Sequence, residues 1–535
     1  MDVRESLRSA LRDALETAGV DPVPEVITLE RPANPEHGDW SSNVALATAK
    51  AAGRNPRELG QQLVDHCAAN LPPHVTAVEI AGPGFVNFHL GDSWLHDVLA
   101  DVVEAGTDGF ARSDVGAGSS VNIEYVSANP TGPLHAGHAR WAAYGDALSR
   151  LFAHCGYAVH REFYVNDRGV QTELFGASLT ARAAGEEPPE DGYQGGYVTE
   201  WAEELPGAAD PVAWGIERAQ ADQRQVLMSM NVEFDRWASE RSVVQSGEME
   251  KAIDELRAAG YVFEDDGAMW LRTSDFGDEK DRVLFKSDGD ATYFVPDIAY
   301  HHQKYDRGEL VIDILGADHH GYVKRMAAAM QMMGHAAESY EVLVGQNVTL
   351  VRDGAEVRLS KRAGTMIEAR DLVELAGADV ARLTFLLQSI DTTQTIDLDL
   401  LVAQSNENPV YYVQYANARV HSLARQAKER EIARLPLADV DLSLLTHERE
   451  LALLRSLSEL PDVVIRAVEN RGPHQVTMWT RECAAALHGF WHDCPILRDD
   501  VDDAIRQARM WLVEATRIGL GVGLDLLGVS APESM

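Results

Sequence analysis

Residues 121–140 read Val-Asn-Ile-Glu-Tyr-Val-Ser-Ala-Asn-Pro-Thr-Gly-Pro-Leu-His-Ala-Gly-His-Ala-Arg. The β-rich run over 121–126 predicts a strand. Asn129, Pro130, Gly132 and Pro133 then break it, and His135 opens a helix predicted over 135–155. Backbone N–H groups and the imidazoles of His135 and His138 thus collect at a helix N-terminus, where the positive end of the dipole stabilises a phosphate. Gly137 between them allows a nucleotide to approach the helix backbone. A lone H-x-G-H is too short to decide anything, so the rest of the chain must carry the reading.

Outward from this stretch, strand signals recur at 161–165, 310–315 and 341–344 with helical patterns between them. That alternation predicts a parallel, doubly wound α/β sheet, with its ligand site at the carboxyl ends of the strands where the strand order reverses. Gly-, Pro- and Glu-rich loops from about 170 to 280 read as an insertion between the two halves of the sheet. Residues 1–110 read as a separate α+β module, with helices over 3–18, 41–52 and 56–68 and strands over 75–80 and 84–90. A small-residue linker covers 111–118, and the catalytic unit is expected over 111–400. From 401 to 535 the pattern is a helical bundle, with helices over 404–428, 447–470, 474–494 and 501–520.

Composition narrows the class. At 535 residues the chain needs about three or four domains. Four cysteines without a C-x-x-C pair indicate neither a disulfide framework nor a zinc ribbon. Cys483, His488, His492 and Cys494 are close in sequence, but their spacing fits ordinary helix positions rather than a zinc site. The charged amphipathic N-terminus is not a signal peptide, and no apolar run reaches the roughly 18 residues of a membrane span. A cytoplasmic protein is expected. The net charge of −37 opposes long-range attraction to a polyanion, so any nucleic-acid surface must be a local one.

Four segments share one resemblance. Glu124 and Asn129-Pro-Thr-Gly-Pro133 followed by His135-Ala-Gly-His138, the segment Arg358-Leu-Ser-Lys361-Arg362, the segment Phe163-Tyr-Val-Asn-Asp-Arg-Gly169 and the segment Gly316-Ala-Asp-His-His-Gly321 together resemble the class I arginyl-tRNA synthetase family. The resemblance implies a Rossmann-like catalytic domain with an insertion, an additional N-terminal domain touching tRNA, and a helical anticodon-binding domain. It implies activation of L-arginine by ATP, then transfer of arginine to the 2′-hydroxyl of the terminal adenosine of tRNA(Arg). Magnesium would enter with ATP and have no dedicated protein site; the chain would work as a monomer, without a membrane.

The same resemblance assigns residues. Pro130, Thr131, Gly132, His135, Gly137, His138, Ser360, Lys361 and Arg362 would hold ATP, with His135, His138 and Lys361 as the catalytic contacts. Arg358 stands where the class has lysine, which moves weight onto Lys361. Glu124, Tyr293 and Asp297 would hold the guanidinium, Asn129 and His135 the amino-acid head, and Asp318 a further part of the substrate. Phe85, Asn87, Tyr411, Tyr415, Arg419 and Met535 would touch tRNA; Phe85 and the two tyrosines also fit core positions.

Chemistry supports such a carboxylate set. A guanidinium is a planar, permanently charged five-donor fork, so its site needs anionic acceptors in fixed positions. Lysine would leave acceptors unpaired at about 1–3 kcal/mol each, enough to reject it without an editing domain. A synthetase for another amino acid is disfavoured by Glu124 with Asp297, and a non-catalytic tRNA-binding relative by the two phosphate segments.

Overall fold

The computed structural model describes residues 3–32, 34–207, 209–317, 320–357, 367–403, 405 and 407–535. Asp318, Arg358, Ser360, Lys361 and Arg362 lie outside the described residues. The chain forms two compact units, one of Met1–Gly106, Arg430–Ser458 and Gly489–Thr516, the other of Thr107–Glu429, Glu459–His488 and Arg517–Met535.

The first unit begins with helix α1 (Val3–Thr17), strand β1 (Trp40–Ser42), helices α2 (Val44–Ala49) and α3 (Pro56–Ala69), strands β2 (Val75–Ala81) and β3 (Phe85–Leu90), and helix α4 (Ser93–Gly109). Asn55 caps α3 by accepting from the N–H groups of Arg57 and Glu58, and Pro56 occupies the first turn, where no N–H is needed. The three strands form an antiparallel sheet in the order β1-β3-β2. Leu7, Leu11 and Leu15 of α1 pack with Leu59, Leu63, Val86 and Phe88 in its core. The helix expected over 41–52 starts later, because Trp40, Ser41 and Ser42 pair with Phe88, Asn87 and Val86. Pairing that buries Trp40 outweighs the helical propensity of the segment.

The second unit is built on strands β4 (Ser120–Glu124), β5 (Ala158–Val165), β6 (Arg236–Ser239), β10 (Leu310–Gly316) and β11 (Tyr340–Gly345), all parallel, in the order β11-β10-β4-β5-β6. Chain order therefore reverses at β4, with β5 on one side and β10 on the other. The carboxyl ends of β4 and β10 frame the crevice where such sheets bind ligands. Helix α5 (Ala136–His154) follows β4 and is buried along most of its length. Fully buried Arg140 fixes it, donating to the carbonyls of Gln346, Ser389 and Thr392 at 2.8–2.9 Å.

The span read as an insertion contains β6, a full member of the main sheet. Four residues, Arg-Trp-Ala-Ser, are too few to stand out from their flanking loops. Before β6, helices α6 (Val170–Ala183), α7 (Gly196–Glu204) and α8 (Pro211–Ser229) form the crossover. After it come α9 (Glu240–Gln245), α10 (Glu248–Ala258), an antiparallel sheet of β7 (Val262–Asp265), β8 (Ala268–Leu271) and β9 (Arg282–Phe285), and α11 (Phe294–Lys304). Helix α12 (His320–Met332) joins β10 to β11.

Downstream, β12 (Val348–Arg352) pairs with β13 (Ala355–Glu356) and with β14 (Gln394–Asp397), which follows helices α13 (Ala369–Ala376) and α14 (Ala378–Phe385). Helices α15 (Leu398–Leu401), α16 (Pro409–Glu429), α17 (Glu448–Glu469), α18 (His474–Asp493) and α19 (Asp503–Leu526) complete the chain. No helix among the described residues is long and apolar enough to cross a membrane.

Candidate active site

At the start of α5 the two histidines cap the helix for each other. His135 Nδ1 accepts from the N–H groups of Gly137 and His138 at 3.1 and 3.4 Å, and His138 Nδ1 accepts from His135 N–H at 3.2 Å. The rings stack with centroids 3.6 Å apart. Backbone N–H groups can only donate, so both Nδ1 atoms are unprotonated, and each neutral ring carries its proton on Nε2. Ala136 N–H is also used, by the carbonyl of Ile367 at 3.4 Å. The first N–H groups of α5 are therefore already bonded, contrary to the expectation that they would meet a phosphate directly. What the turn offers an anion is the helix dipole and imidazole donors.

The same segment is tied to the chain that leaves the second phosphate motif. Ala369 N–H donates to the Leu134 carbonyl at 2.7 Å, and His135 bridges to Glu368. The two motifs, far apart in sequence, thus converge through their immediate neighbours. Burial, with Asp371 nearby, pushes Glu368 up to about 7.

The other end of the crevice is a buried ionic network. Just after Glu124 the backbone turns through positive φ at Val126 (70°) and Ser127 (38°), a conformation a β-branched residue rarely adopts. That turn aims Ser127 Oγ at Glu124 Oε1, 2.7 Å away. Glu124 Oε2 accepts from Tyr300 OH at 2.7 Å and lies 2.5 Å from Lys304 Nζ. Lys304, wholly buried, also meets Asp313 at 2.5 Å, and Asp313 accepts from Tyr340 OH at 2.7 Å. Burial alone would lower the lysine pKa, but Asp313, Glu124 and Glu162 together hold it above the ordinary value. Asp313, despite burial, is held well below the carboxylate range by Lys304 and His301.

His301 Nε2 lies 2.9 Å from Asp313, and its Nδ1 lies 2.7 Å from the Asp297 carbonyl. Both ring nitrogens face acceptors, so His301 ties α11 to β10. Asp297 itself, half-buried, is pushed up by burial and by Glu124, while His301, Arg325 and a hydrogen bond from Tyr322 pull it down. Asn129 accepts from Asn166 and donates to Gln171, both at 2.9 Å.

Tyr293, expected beside Asp297, stands at the start of α11 with 81% of its surface exposed. Residues 293 and 297 do share the first turn, but this Tyr points to solvent and does not join the Glu124 network. Sequence reasoning missed Tyr300, His301, Lys304 and Asp313. The first three fall at i+3, i+4 and i+7 from Asp297, one face of α11, so the helical period held the signal.

The expected tRNA contacts divide. Phe85 is 36% exposed at the head of β3, on the surface rather than in the core. Asn87 is 2% exposed and accepts from Ser41 Oγ at 2.7 Å, so it binds strand to strand and presents no surface to RNA. On α16, Tyr411 and Tyr415 stack with ring planes 6° apart; Tyr415 also stacks on His488. Tyr415 and Arg419 are exposed, as is Met535 at the chain end. Beside them a cavity of about 450 Å³ is lined by Pro409, Tyr412, Met478 and Arg481. Cys483 and Cys494 are buried, while His492 is exposed against Asp493. Among the described residues no three His, Cys, Asp or Glu side chains form a metal cluster.

Comparison with known proteins agrees with this organisation. The family described as "Arginyl tRNA synthetase N terminal domain" matches residues 4–90. "tRNA synthetases class I (R), catalytic domain" matches 107–190 and 216–405, and "DALR anticodon binding domain" matches 413–535. An arginine–tRNA ligase of Frankia alni is 46% identical over 554 aligned positions, covering 100% of this chain and 99% of its own. A Campylobacter jejuni structure solved as a candidate arginyl-tRNA synthetase aligns at TM-score 0.75 and 31% identity, over 83% of this chain and all of its own. The Thermus thermophilus arginyl-tRNA synthetase aligns at TM-score 0.78 and 22% identity, over 99% of this chain and all of its own, a likeness of fold. The chain belongs to the class I arginyl-tRNA synthetases.

Proposed function

We propose that this chain ligates L-arginine to tRNA(Arg) in two steps, and that the charge balance at the carboxyl ends of β4 and β10 selects the amino acid. Glu124 and Asp313 share the buried cation Lys304, and Asp313 also meets His301 Nε2. With Asp297 beside Glu124 the site keeps an excess of carboxylates, which one substrate cation offsets. This balance is the observation that carries the reading.

In the first step the arginine carboxylate attacks the α-phosphate of ATP, giving arginyl-adenylate and pyrophosphate. Such chemistry asks a protein mainly for positioning and charge stabilisation. His135 and His138 donate to the phosphate from Nε2 at the head of α5, and Gly137 and the 130–132 loop admit the nucleotide. Ser360, Lys361 and Arg362 would hold the β- and γ-phosphates, with magnesium entering with ATP and supplying further charge stabilisation there. Asn129 holds the amino-acid head with His135, and Asp318 completes the substrate set. In the second step the 2′-hydroxyl of the terminal adenosine attacks the acyl carbon.

Recognition of tRNA falls to three regions, 1–110, 111–400 and 401–535. Exposed Phe85 stacks on the outer part of the tRNA; Tyr411, Tyr415, Arg419 and Met535 meet the anticodon, where aromatic faces suit splayed bases. The protein acts in the cytoplasm as a monomer. Aminoacylation of total tRNA with labelled arginine, lysine or glutamine tests the proposal. Arginine alone should be incorporated, and Asp297→Ala should abolish it. Binding of tRNA without any incorporation would point instead to a non-catalytic relative.

A further inference from the structure

Helix α8 lies in the span that the sequence presents as an interruption, yet two neighbouring residues on it reach the first phosphate segment and the chain that follows the second. Gln223 is 1% exposed, and its Nε2 donates to the carbonyls of Asn129 and Gly132, each at 3.0 Å. The amide has only this orientation, because turning it would set its oxygen against two carbonyl oxygens. Its Oε1, buried, has no partner among the described residues. Nothing but the loop therefore fixes the amide. From α7, Tyr197 OH donates to the Thr131 carbonyl at 2.9 Å. A Cβ on Gly132 would fall 2.8 Å from that hydroxyl, so this loop and Tyr197 are fitted closely.

Asp222, the preceding residue, is 7% exposed and takes Arg370 at 2.5 Å, with Arg218 at 3.7 Å. Arg370 follows Glu368 and Ala369, the residues bonded to Leu134 and His135. One turn of α8 thus holds the loop before the His135–His138 cap and the root of the segment after the second motif.

We infer that Gln223, Asp222 and Tyr197 are positioning residues that set the nucleotide site from outside it, a conclusion that rests on the assignment of these two segments to ATP. Three carbonyls, those of Asn129, Thr131 and Gly132, are held by these donors. The loop that carries Asn129 and leads into α5 then keeps one conformation, without reorganisation when ATP arrives. A buried amide suits this task because both of its hydrogens are used.

Gln223→Leu, Gln223→Glu, Asp222→Asn and Tyr197→Phe separate this role from mere packing. ATP affinity is read by titration calorimetry on the full chain, and aminoacylation gives KM for ATP, arginine and tRNA. Gln223→Leu should weaken ATP binding at least tenfold with KM for tRNA unchanged and melting within a few degrees of the parent. Gln223→Glu can donate only when protonated, so its kcat/KM for ATP relative to the parent should rise several-fold as pH falls from 8 to 6. Asp222→Asn and Tyr197→Phe should each raise KM for ATP about threefold. Tyr197→Phe deletes one oxygen only, and keeps the test decisive if Gln223→Leu fails to fold. ATP affinities within twofold of the parent, or equal losses for ATP and tRNA, would overturn the inference. A parent chain that binds ATP but charges no tRNA would remove the functional reading, and calorimetry on the variants would still decide the clamp.

Discussion

The two ends of the crevice solve the problem of holding charge in opposite ways. The end proposed to hold arginine is made of buried charged side chains, with Lys304 inserted between Glu124 and Asp313. The end proposed to hold ATP is made of backbone, a helix start and a pair of mutually capping histidines. A phosphate carries charge on several oxygens and tolerates general electropositive surroundings, so a dipole and rotatable donors suffice. A guanidinium must be told from an ammonium of the same charge, and only fixed, desolvated acceptors can do that. The proposed function thus assigns selectivity to fixed carboxylates at one end, and general affinity to a helix dipole and imidazole donors at the other.

The largest effect should follow from removing the internal cation. Lys304→Met leaves Glu124 and Asp313 facing each other in a dry site, and should cost about 3–5 kcal/mol of stability in urea unfolding. Any folded fraction should lose arginine binding while keeping ATP binding. At the nucleotide end, His135→Ala removes both cap and donor. His135→Asn keeps an acceptor for the helix N–H groups and so should recover most of the roughly 1 kcal/mol that the alanine variant loses. Both should charge tRNA about 10²–10³-fold more slowly. Recovery of the rate by the asparagine variant would show that the ring serves only as a cap.

A carboxylate at each end is held up to about 7: Glu240 near Asp297, by burial opposed by Arg168, and Glu368 beside His135, by burial and Asp371. Ordinary carboxylates titrate near 4.3. Between those values the folded chain binds more protons than the unfolded one, so these groups make stability fall as pH rises from about 4.5 to 7 and add no further slope above. Glu240→Gln should consequently raise stability by about 1–2 kcal/mol at pH 8 and by little at pH 5. Thermal melts of parent and variant across that range measure the difference. The smallest effects contrast two residues first expected to touch tRNA. Tyr415→Ala should lose about 1 kcal/mol of tRNA affinity, a several-fold rise in KM for tRNA. Asn87→Ala should lower stability by about 1 kcal/mol with no change in that KM, because its side chain serves the sheet.

Much of this organisation is visible in the sequence because local patterns and tertiary structure agree there. The strand, turn and helix around His135 follow from β-branched residues, two prolines and a helical run, and the switch point follows from alternation. Strand β6 was hidden by its length, and the strand at Trp40 by tertiary pairing that overrode helical propensity. The network under Glu124 is legible only once Asp297, Tyr300, His301 and Lys304 are placed on one helix face. Gln223 carries no signal at all, because its role depends on which carbonyls α8 happens to meet. The exposure of Tyr293 and the burial of Asn87 likewise depend on side-chain packing that no spacing encodes.

The separation of the two ends is tested most directly by Asp297→Asn, with KM for arginine and for ATP measured independently in aminoacylation from pH 5.5 to 8.5. Asp297 is held above the ordinary carboxylate range, so in the parent the acid-side fall of kcat/KM for arginine should begin above that range. The asparagine variant should raise KM for arginine about 10²-fold, lose that acid limb and leave KM for ATP within twofold. Equal changes in both KM values, or an unchanged KM for arginine, would contradict the division of the site into an arginine end and a nucleotide end.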